Sequence, residues 1–236
     1  MTEKPSMAQK IAAELMGTFA LVFAGTAAIT VNDLSAGAVT HVGVSMTFGL
    51  VVAAMIYSLG GISGAHLNPA VTIGFWLSRR MALRAVPAYI AGQCAGAILA
   101  SLAVKTLFPE HQTIGATIPA GAHWQSFVIE LIMTFILMFV ILSVSTGEKE
   151  KGIMAGVAVG SVVAFEAMLG GPVSGASMNP ARSLGPALVS FHAQGLWIYF
   201  IAPISGATLA VIACKYLHRG TGGCCGAADD RGDADE

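Results

Sequence analysis

One eight-residue pattern, Ser-Gly-Ala-x-x-Asn-Pro-Ala, occurs at residues 63–70 and again at residues 174–181. Its asparagines, Asn68 and Asn179, carry side-chain amides that can cap a helix and donate hydrogen bonds to a small polar molecule. The proline after each asparagine suits the first turn of a helix, where its missing N–H would have no partner in any case. In a bilayer, backbone broken by Gly and Pro survives only where protein buries it or where it lines a watery cavity. The doubled pattern therefore predicts a membrane channel or transporter whose site lies between two repeats.

The composition also indicates an all-α membrane protein. Hydrophobic residues make up 55% of the 236 residues, charged residues only 11%, and the mean hydropathy is +0.74. A soluble chain carries charge on roughly 25% of its residues. Apolar stretches of about 20 residues, the length that spans a bilayer, predict six transmembrane helices: 11–31, 41–59, 85–107, 124–146, 152–170 and 195–217.

The sequence carries no pattern typical of a catalyst. It has no metal-ligand cluster, nucleotide-binding loop or nucleophile–base constellation, and no cleavable signal peptide is apparent. We therefore expect that the protein is not an enzyme, that it needs no cofactor and that it has no nucleic-acid partner.

Lysine and arginine predict the orientation in the membrane. They concentrate at the termini and in the connections on the same side, so the positive-inside rule places both termini in the cytoplasm. We expect the plasma membrane as the location. The opposite connections, 32–40, 108–123 and 171–194, contain a single basic residue, Arg182. Arg182 therefore needs an explanation other than topology.

Three spans in each half predict an inverted repeat. Repeat two, about 124–219, must insert upside down relative to repeat one, about 8–108. The short apolar stretch after each motif is predicted to be a half-helix, and the two half-helices enter from opposite faces. Their N-termini then meet near the membrane centre, each with about half a positive charge that opposes cations. We expect one transmembrane domain, residues 1–219, and a disordered cytoplasmic tail, residues 220–236.

These features resemble the aquaporin family, the major intrinsic proteins, over residues 8–219. The resemblance implies an aquaporin-like fold of six transmembrane helices and two re-entrant half-helices, a passive pore in the lipid bilayer, and a homotetramer. It implies the pore motifs Asn68, Pro69, Ala70, Asn179, Pro180 and Ala181, the selectivity filter Phe48, Ala167, Ala176 and Arg182, and the loop supports Glu14, Glu130 and His66.

Residues 170–178 are similar to the plant nodulin-like branch of this family, which handles glycerol and metalloid hydroxides. The short loops and brief N-terminus favour a microbial origin.

The residues near the filter point to two different substrates. Water-selective members usually have His where this chain has Ala167. An alanine makes the filter wider and less polar, which favours larger neutral solutes. Ser183, Ala187 and the pair Tyr199-Phe200 are instead typical of water channels. We therefore expect a water pore that excludes protons and ions. The alternatives are an aquaglyceroporin-like pore for glycerol, urea, ammonia or metalloid hydroxides, and a non-conducting adhesion or scaffold protein of the same fold.

Two further expectations concern packing. Glu166 is about 100° around the helix from Ala167, which favours an orientation toward a neighbouring helix rather than the pore. The pairs Gly92-x-x-x-Gly96 and Gly156-x-x-x-Gly160 allow close helix approach, which we expect within one subunit.

Overall fold

The computed structural model describes residues 4–145 and 149–218. Its helices are α1 (Met7–Leu34), α2 (Thr40–Ser63), α3 (Pro69–Leu77), α4 (Val86–Leu107), α5 (His123–Val144), α6 (Lys149–Ser174), α7 (Pro180–Ser190) and α8 (Ile198–Leu217). Six of these helices are long and apolar enough to cross a membrane. The other two, α3 and α7, are half-helices of 9 and 11 residues. The predicted all-α fold is therefore confirmed, while the predicted tail, 220–236, lies outside the described residues.

Several spans extend beyond their predicted ends. Helix α1 begins at Met7 because Ser6 and Gln9 form a capping box before its first turn. The Ser6 Oγ accepts from the Gln9 N–H at 3.3 Å, and the Gln9 Oε1 accepts from the Ser6 N–H at 2.7 Å. Helix α6 continues through Pro172 to Ser174, although a proline inside a helix removes one main-chain hydrogen bond.

The two halves of the protein are built alike and exchange their half-helices. In the first half, α1 packs on α2 and α4, and in the second half α5 packs on α6 and α8. Helices α2 and α6 pack on each other across the two halves. Half-helix α3 lies mainly against α8 of the other half, and α7 lies mainly against α4. This exchange is what an inverted repeat with two re-entrant segments requires.

Glycines let the helix backbones of the two halves approach closely. A Cβ atom on either Gly49 of α2 or Gly160 of α6 would collide with the main-chain oxygen of the other. Gly92 of α4 lies against Ile11 of α1, and Gly156 of α6 lies against α2. The glycine pairs therefore pack helices within one subunit, as predicted.

Candidate pore and selectivity site

The two half-helices begin at the asparagines of the doubled motif. The Asn68 Oδ1 accepts from the Ala70 N–H at 2.9 Å. The Asn179 Oδ1 accepts from the N–H groups of Ala181 and Arg182, at 3.0 and 3.3 Å. Both asparagines have extended backbone, and each is followed by a proline in the first helical turn. Each side-chain oxygen thus satisfies amides that a helix start would otherwise leave without a partner.

The amide nitrogens of the same asparagines join the two halves. The Asn68 Nδ2 donates to the Met178 carbonyl at 2.7 Å, and the Asn179 Nδ2 donates to the Leu67 carbonyl at 2.8 Å. Each asparagine therefore binds the residue that precedes the other asparagine. A carboxamide nitrogen has two N–H groups, and this bond engages one of them. Among the described residues, the second N–H on each side has no acceptor, and both asparagines line the same cavity.

Glu130 holds the second re-entrant loop from behind. This carboxylate is fully buried and accepts from the Ser174 hydroxyl at 2.7 Å and from the N–H groups of Ser177 and Met178, at 2.8 and 2.7 Å. The loop has no regular hydrogen-bonding ladder, so its buried amides need acceptors from side chains.

Glu14 makes the equivalent contacts in the first half. It accepts from the Ser63 hydroxyl at 2.7 Å and from the N–H groups of His66 and Leu67, at 2.9 and 2.7 Å. Glu14 and Glu130 thus contact the two re-entrant loops through equivalent sets of three donors, one serine hydroxyl and two main-chain N–H groups.

Both loops contain strained backbone. Ala65 and Leu67 have φ angles of 46° and 53°, and Ala176 and Met178 have φ angles of 45° and 54°. A non-glycine residue in this left-handed region costs roughly 1–2 kcal/mol. The carboxylates behind the loops supply the hydrogen bonds that offset this cost, and the strained segments line the cavity.

Sequence reasoning missed Tyr89 and Gln93, and it singled out Tyr199 without this role; these three residues complete the scaffold. The hydroxyl of Tyr89 donates to the Ser63 carbonyl at 2.8 Å, and that of Tyr199 donates to the Ser174 carbonyl at 2.6 Å. The Gln93 Nε2 donates to Glu14 at 2.8 Å. The two tyrosines act on corresponding serines of the doubled motif, and that correspondence is the signal that would have identified them.

His66 lies at the edge of the cavity and is tied to the first half-helix. Its Nδ1 is 3.1 Å from the Thr72 Oγ1, and its ring stacks on Phe75 with centroids 4.4 Å apart. His66 also lines the cavity. His66 therefore contacts the first half-helix, as a loop support would, and its side chain also lies on the cavity wall.

Two cavities lie end to end between the halves. The first, here called the channel cavity, runs from Ile56 and Ser145, on the side of the chain ends, past both asparagines to Arg182. Its volume is about 120 Å³. The second, here called the vestibule, lies on the opposite side and has a volume of about 330 Å³. Both have room for several water molecules, since one water needs roughly 10–15 Å³ by this measure.

The two cavities meet at the predicted filter. Phe48, Ala176 and Arg182 line both cavities, and Ala167 lines the vestibule directly beside them. The four residues come from α2, α6, the second re-entrant loop and α7. The structure thus brings Phe48, Ala176 and Arg182 to the junction of the two cavities, here called the constriction, and places Ala167 on the adjoining vestibule wall. The role of these four residues as a selectivity filter stays a prediction.

Arg182 is the charged group of this constriction. Its side chain is 1% exposed, and its Nη1 donates to the Gly115 carbonyl at 2.8 Å. The guanidinium carbon lies 5.0 Å from the centroid of the Phe48 ring, within cation–π range. Within the described residues, the Arg182 Nε has no hydrogen-bond partner.

The connection between α4 and α5 supplies the carbonyl that holds this arginine, a contact that no pattern in the sequence predicted. Gly115 has a φ of 72°, and a Cβ atom there would lie 2.9 Å from the Cβ of Thr26. Only glycine fits this left-handed, crowded position without strain. Two residues later, the Thr117 hydroxyl donates to Ser183 at 2.7 Å. The connection is therefore fastened to α7 at Arg182 and at the next residue, Ser183.

Glu166 faces away from the pore, as predicted from its helical phase. It is fully buried and lines neither cavity as these are defined by the described residues. Neither of its carboxylate oxygens has a hydrogen-bond partner in that part of the chain.

The residues typical of water channels also lie behind the pore. Ser183 is fully buried, and its hydroxyl is 2.6 Å from that of Ser177. Ala187 and Tyr199 are buried. Judged over the described residues, these three and Phe200 line neither the channel cavity nor the vestibule.

Six apolar spans, two half-helices that meet end to end and a path of cavities between them define a membrane channel. The chain belongs to the major intrinsic protein family, whose model matches residues 1–214. This is a family of channels for small neutral molecules, not of enzymes, and the protein is an integral membrane protein.

Its relatives include nodulin-like proteins. The chain is 48% identical to Nodulin-26 of Glycine max over 200 residues, which cover 84% of this chain and 74% of that protein. It is 50% identical to Aquaporin NIP1-4 of Oryza sativa subsp. japonica over 210 residues, which cover 89% and 77%. Both relatives support the expected likeness to the nodulin-like branch. They are plant proteins and give no support to the expected microbial origin.

Among solved structures, the fold is similar to that of the aquaglyceroporin from Plasmodium falciparum. The TM-score is 0.75 at 29% sequence identity, and the match covers 87% of this chain and 94% of that one.

Proposed function

We propose that this protein is a passive pore that conducts water and small neutral hydroxylated solutes such as glycerol, and excludes ions. The observation that carries the proposal is the constriction at Phe48, Ala176 and Arg182, with Ala167 beside it. These residues combine the hydrogen-bond donor of Arg182, the aromatic ring of Phe48 and the methyl groups of the two alanines.

The doubled asparagines are proposed to orient the permeating molecule. Asn68 and Asn179 each have one N–H engaged across the repeat interface and a second one available toward the cavity that they line. A water or hydroxyl oxygen that passes between them accepts from both. Much of the remaining wall is apolar, including Val52, Leu137 and Val159, so the permeant is held only at a few polar points.

Cation exclusion is proposed to come from two sources of positive potential. The N-termini of α3 and α7 meet at the asparagines, and each helix contributes about half a positive charge there. Arg182 adds a full charge at the constriction. A cation would have to lose its hydration shell while approaching like charge, whereas a neutral molecule loses only hydrogen bonds that the pore replaces.

The width of the filter is the reason for including solutes larger than water. Ala167 and Ala176 present only methyl groups opposite Phe48 and Arg182. The residues typical of water channels, such as Ser183 and Tyr199, act from behind the wall, while the two alanines contact the path itself. The name of the similar Plasmodium falciparum protein, aquaglyceroporin, agrees with this choice.

The proposal is tested by stopped-flow light scattering on proteoliposomes that contain the purified protein. An impermeant osmolyte measures water efflux, and a glycerol gradient then measures solute entry. We expect fast shrinkage in the first experiment, and shrinkage followed by fast re-swelling in the second. Shrinkage without re-swelling would identify a water-selective pore, and slow shrinkage equal to that of empty vesicles would refute conduction altogether.

The same proposal extends to assembly and orientation: a homotetramer in the plasma membrane, with both termini in the cytoplasm. Large apolar side chains exposed on the helices, for example Leu50 at 63% and Leu169 at 63%, must be covered by lipid or by other subunits. Native mass spectrometry in detergent tests the assembly, and protease accessibility of terminal tags on intact cells tests the orientation.

A further inference from the structure

Pro172 leaves one carbonyl of α6 without its helical partner. In a regular helix, the Met168 carbonyl accepts from the N–H four residues later, and residue 172 is a proline with no N–H. Such a carbonyl inside a membrane protein needs a donor from elsewhere. Met168 directly follows Ala167 of the constriction.

The missing donor comes from His41 of α2. The imidazole Nε2 lies 2.7 Å from the Met168 carbonyl oxygen. The imidazole ring packs against Gly171, where a Cβ atom would lie 2.5 Å from the imidazole Cε1. The glycine before Pro172 is therefore what makes room for the ring. These contacts place an imidazole one helical turn beyond Ala167, on the wall of the vestibule that Ala167, Gly171 and His41 all line.

The hydrogen bond to Met168 determines which imidazole nitrogen is a donor and which can accept from a solute. A carbonyl oxygen only accepts, so the Nε2 must carry the proton, and in the neutral ring the Nδ1 is then an acceptor. Among the described residues, nothing donates to this Nδ1. Of the other acidic or basic groups that line the vestibule, Asp33 contacts His111 at 3.2 Å, whereas Arg182 uses one nitrogen on the Gly115 carbonyl and, among the described residues, keeps its Nε without a partner.

We infer that His41 is a specificity-determining residue of the pore: its imidazole selects hydroxylated solutes over water at the vestibule, which the donor Arg182 also lines. A hydroxyl group both donates and accepts. A polyol can donate to the His41 Nδ1 while another of its oxygens accepts from the arginine. A water molecule has a single oxygen, whereas a polyol has several hydroxyl groups that can bind the two residues separately. The inference rests on the proposed function and adds a solute-selecting residue to it.

The test compares glycerol and water permeability in the same proteoliposomes, because the ratio does not depend on the number of active channels. His41→Ala removes both the donor to Met168 and the free acceptor. We expect the glycerol-to-water ratio to fall by about three- to ten-fold, the loss that one hydrogen bond produces. His41→Gln keeps a donor and an acceptor on one side chain, and we expect it to retain most of the ratio.

A matched variant separates selection from a purely structural role. Pro172→Ala restores the main-chain N–H that Met168 lacks, so His41→Ala with Pro172→Ala repairs the helix without returning the imidazole. We expect the ratio to stay low in this double variant and to be unchanged in Pro172→Ala alone. Recovery of the ratio in the double variant, or an unchanged ratio in His41→Ala, would overturn the inference.

The fluxes show whether the role of His41 has failed or the proposed function itself has failed. Both fluxes in the wild type with an unchanged ratio in His41→Ala would overturn the role of His41 and leave the proposed pore intact. Water flux without glycerol flux would refute the glycerol part of the proposed function, and the role of His41 with it. Absence of both fluxes would refute the proposed function itself.

Discussion

The guanidinium of Arg182 lies over the ring of Phe48, with 5.0 Å between the guanidinium carbon and the ring centroid. The two residues come from opposite halves of the protein, α7 and α2, and they line both cavities. Their contact therefore sets one dimension of the constriction, and the Gly115 carbonyl fixes the arginine from the other side at 2.8 Å. Because the Phe48 ring and the Gly115 carbonyl hold the guanidinium, its N–H groups are already oriented when a permeating molecule arrives.

Replacing this charge should weaken ion exclusion. In Arg182→Val, the constriction loses its charge and the bond to Gly115, so we expect a wider opening and a proton or cation leak at least about ten-fold above the wild type. The reason is that one charge about 4 Å away opposes a cation by on the order of 4 kcal/mol near a protein surface. A pH-sensitive dye inside proteoliposomes measures the leak, with Arg182→Lys as the charge-retaining control. A leak equal to that of the wild type would show that Arg182 has been given the wrong role.

Filling the space at Ala167 should select for water. In Ala167→His, a larger polar side chain projects into the vestibule beside the constriction. We expect glycerol permeability to fall about ten-fold or more, the size of effect that a change of pocket volume produces, and water permeability to change much less. The glycerol-to-water ratio in proteoliposomes measures this. Glycerol flux that survives the substitution would mean that position 167 does not belong to the filter.

The sequence predicted the fold in detail because the decisive signals were local or repeated. Six apolar spans and the doubled motif predicted the helices, and the phase of α6 predicted that Glu166 turns away from Ala167. The structure brings Asn68 and Asn179 together, as the motif implied, although their role in permeation stays a prediction.

The features that were not predicted are contacts between segments distant in the chain. The Gly115 carbonyl reaches Arg182 from an irregular connection, whose path depends on tertiary packing and has no periodicity to reveal it. The bond from His41 to Met168 joins two helices that the sequence predicted separately. Even Pro172, which exposes the need for a donor, does not indicate where the donor comes from.

Glu130 should be necessary for stability. In Glu130→Gln, the side chain keeps its size but replaces one acceptor oxygen with a donor, which cannot accept from the N–H groups of Ser177 or Met178. A buried amide left without an acceptor costs about 1–3 kcal/mol. We therefore expect a lower apparent Tm in detergent, measured by intrinsic tryptophan fluorescence. An unchanged Tm would mean that the loop does not depend on this carboxylate.

Replacing Glu166 should raise stability, whereas replacing Glu130 should lower it, so the two variants form a matched comparison. Both carboxyl groups are fully buried, but within the described residues the Glu166 oxygens have no hydrogen-bond partner. Burial of a polar group without a partner costs roughly 1–3 kcal/mol by mutational data, and leucine has a similar volume without that cost. We expect Glu166→Leu to raise the apparent Tm and to leave water permeability unchanged, because the side chain lines neither cavity. A fall in Tm as large as that of Glu130→Gln would mean that Glu166 binds a partner that stabilises the bundle.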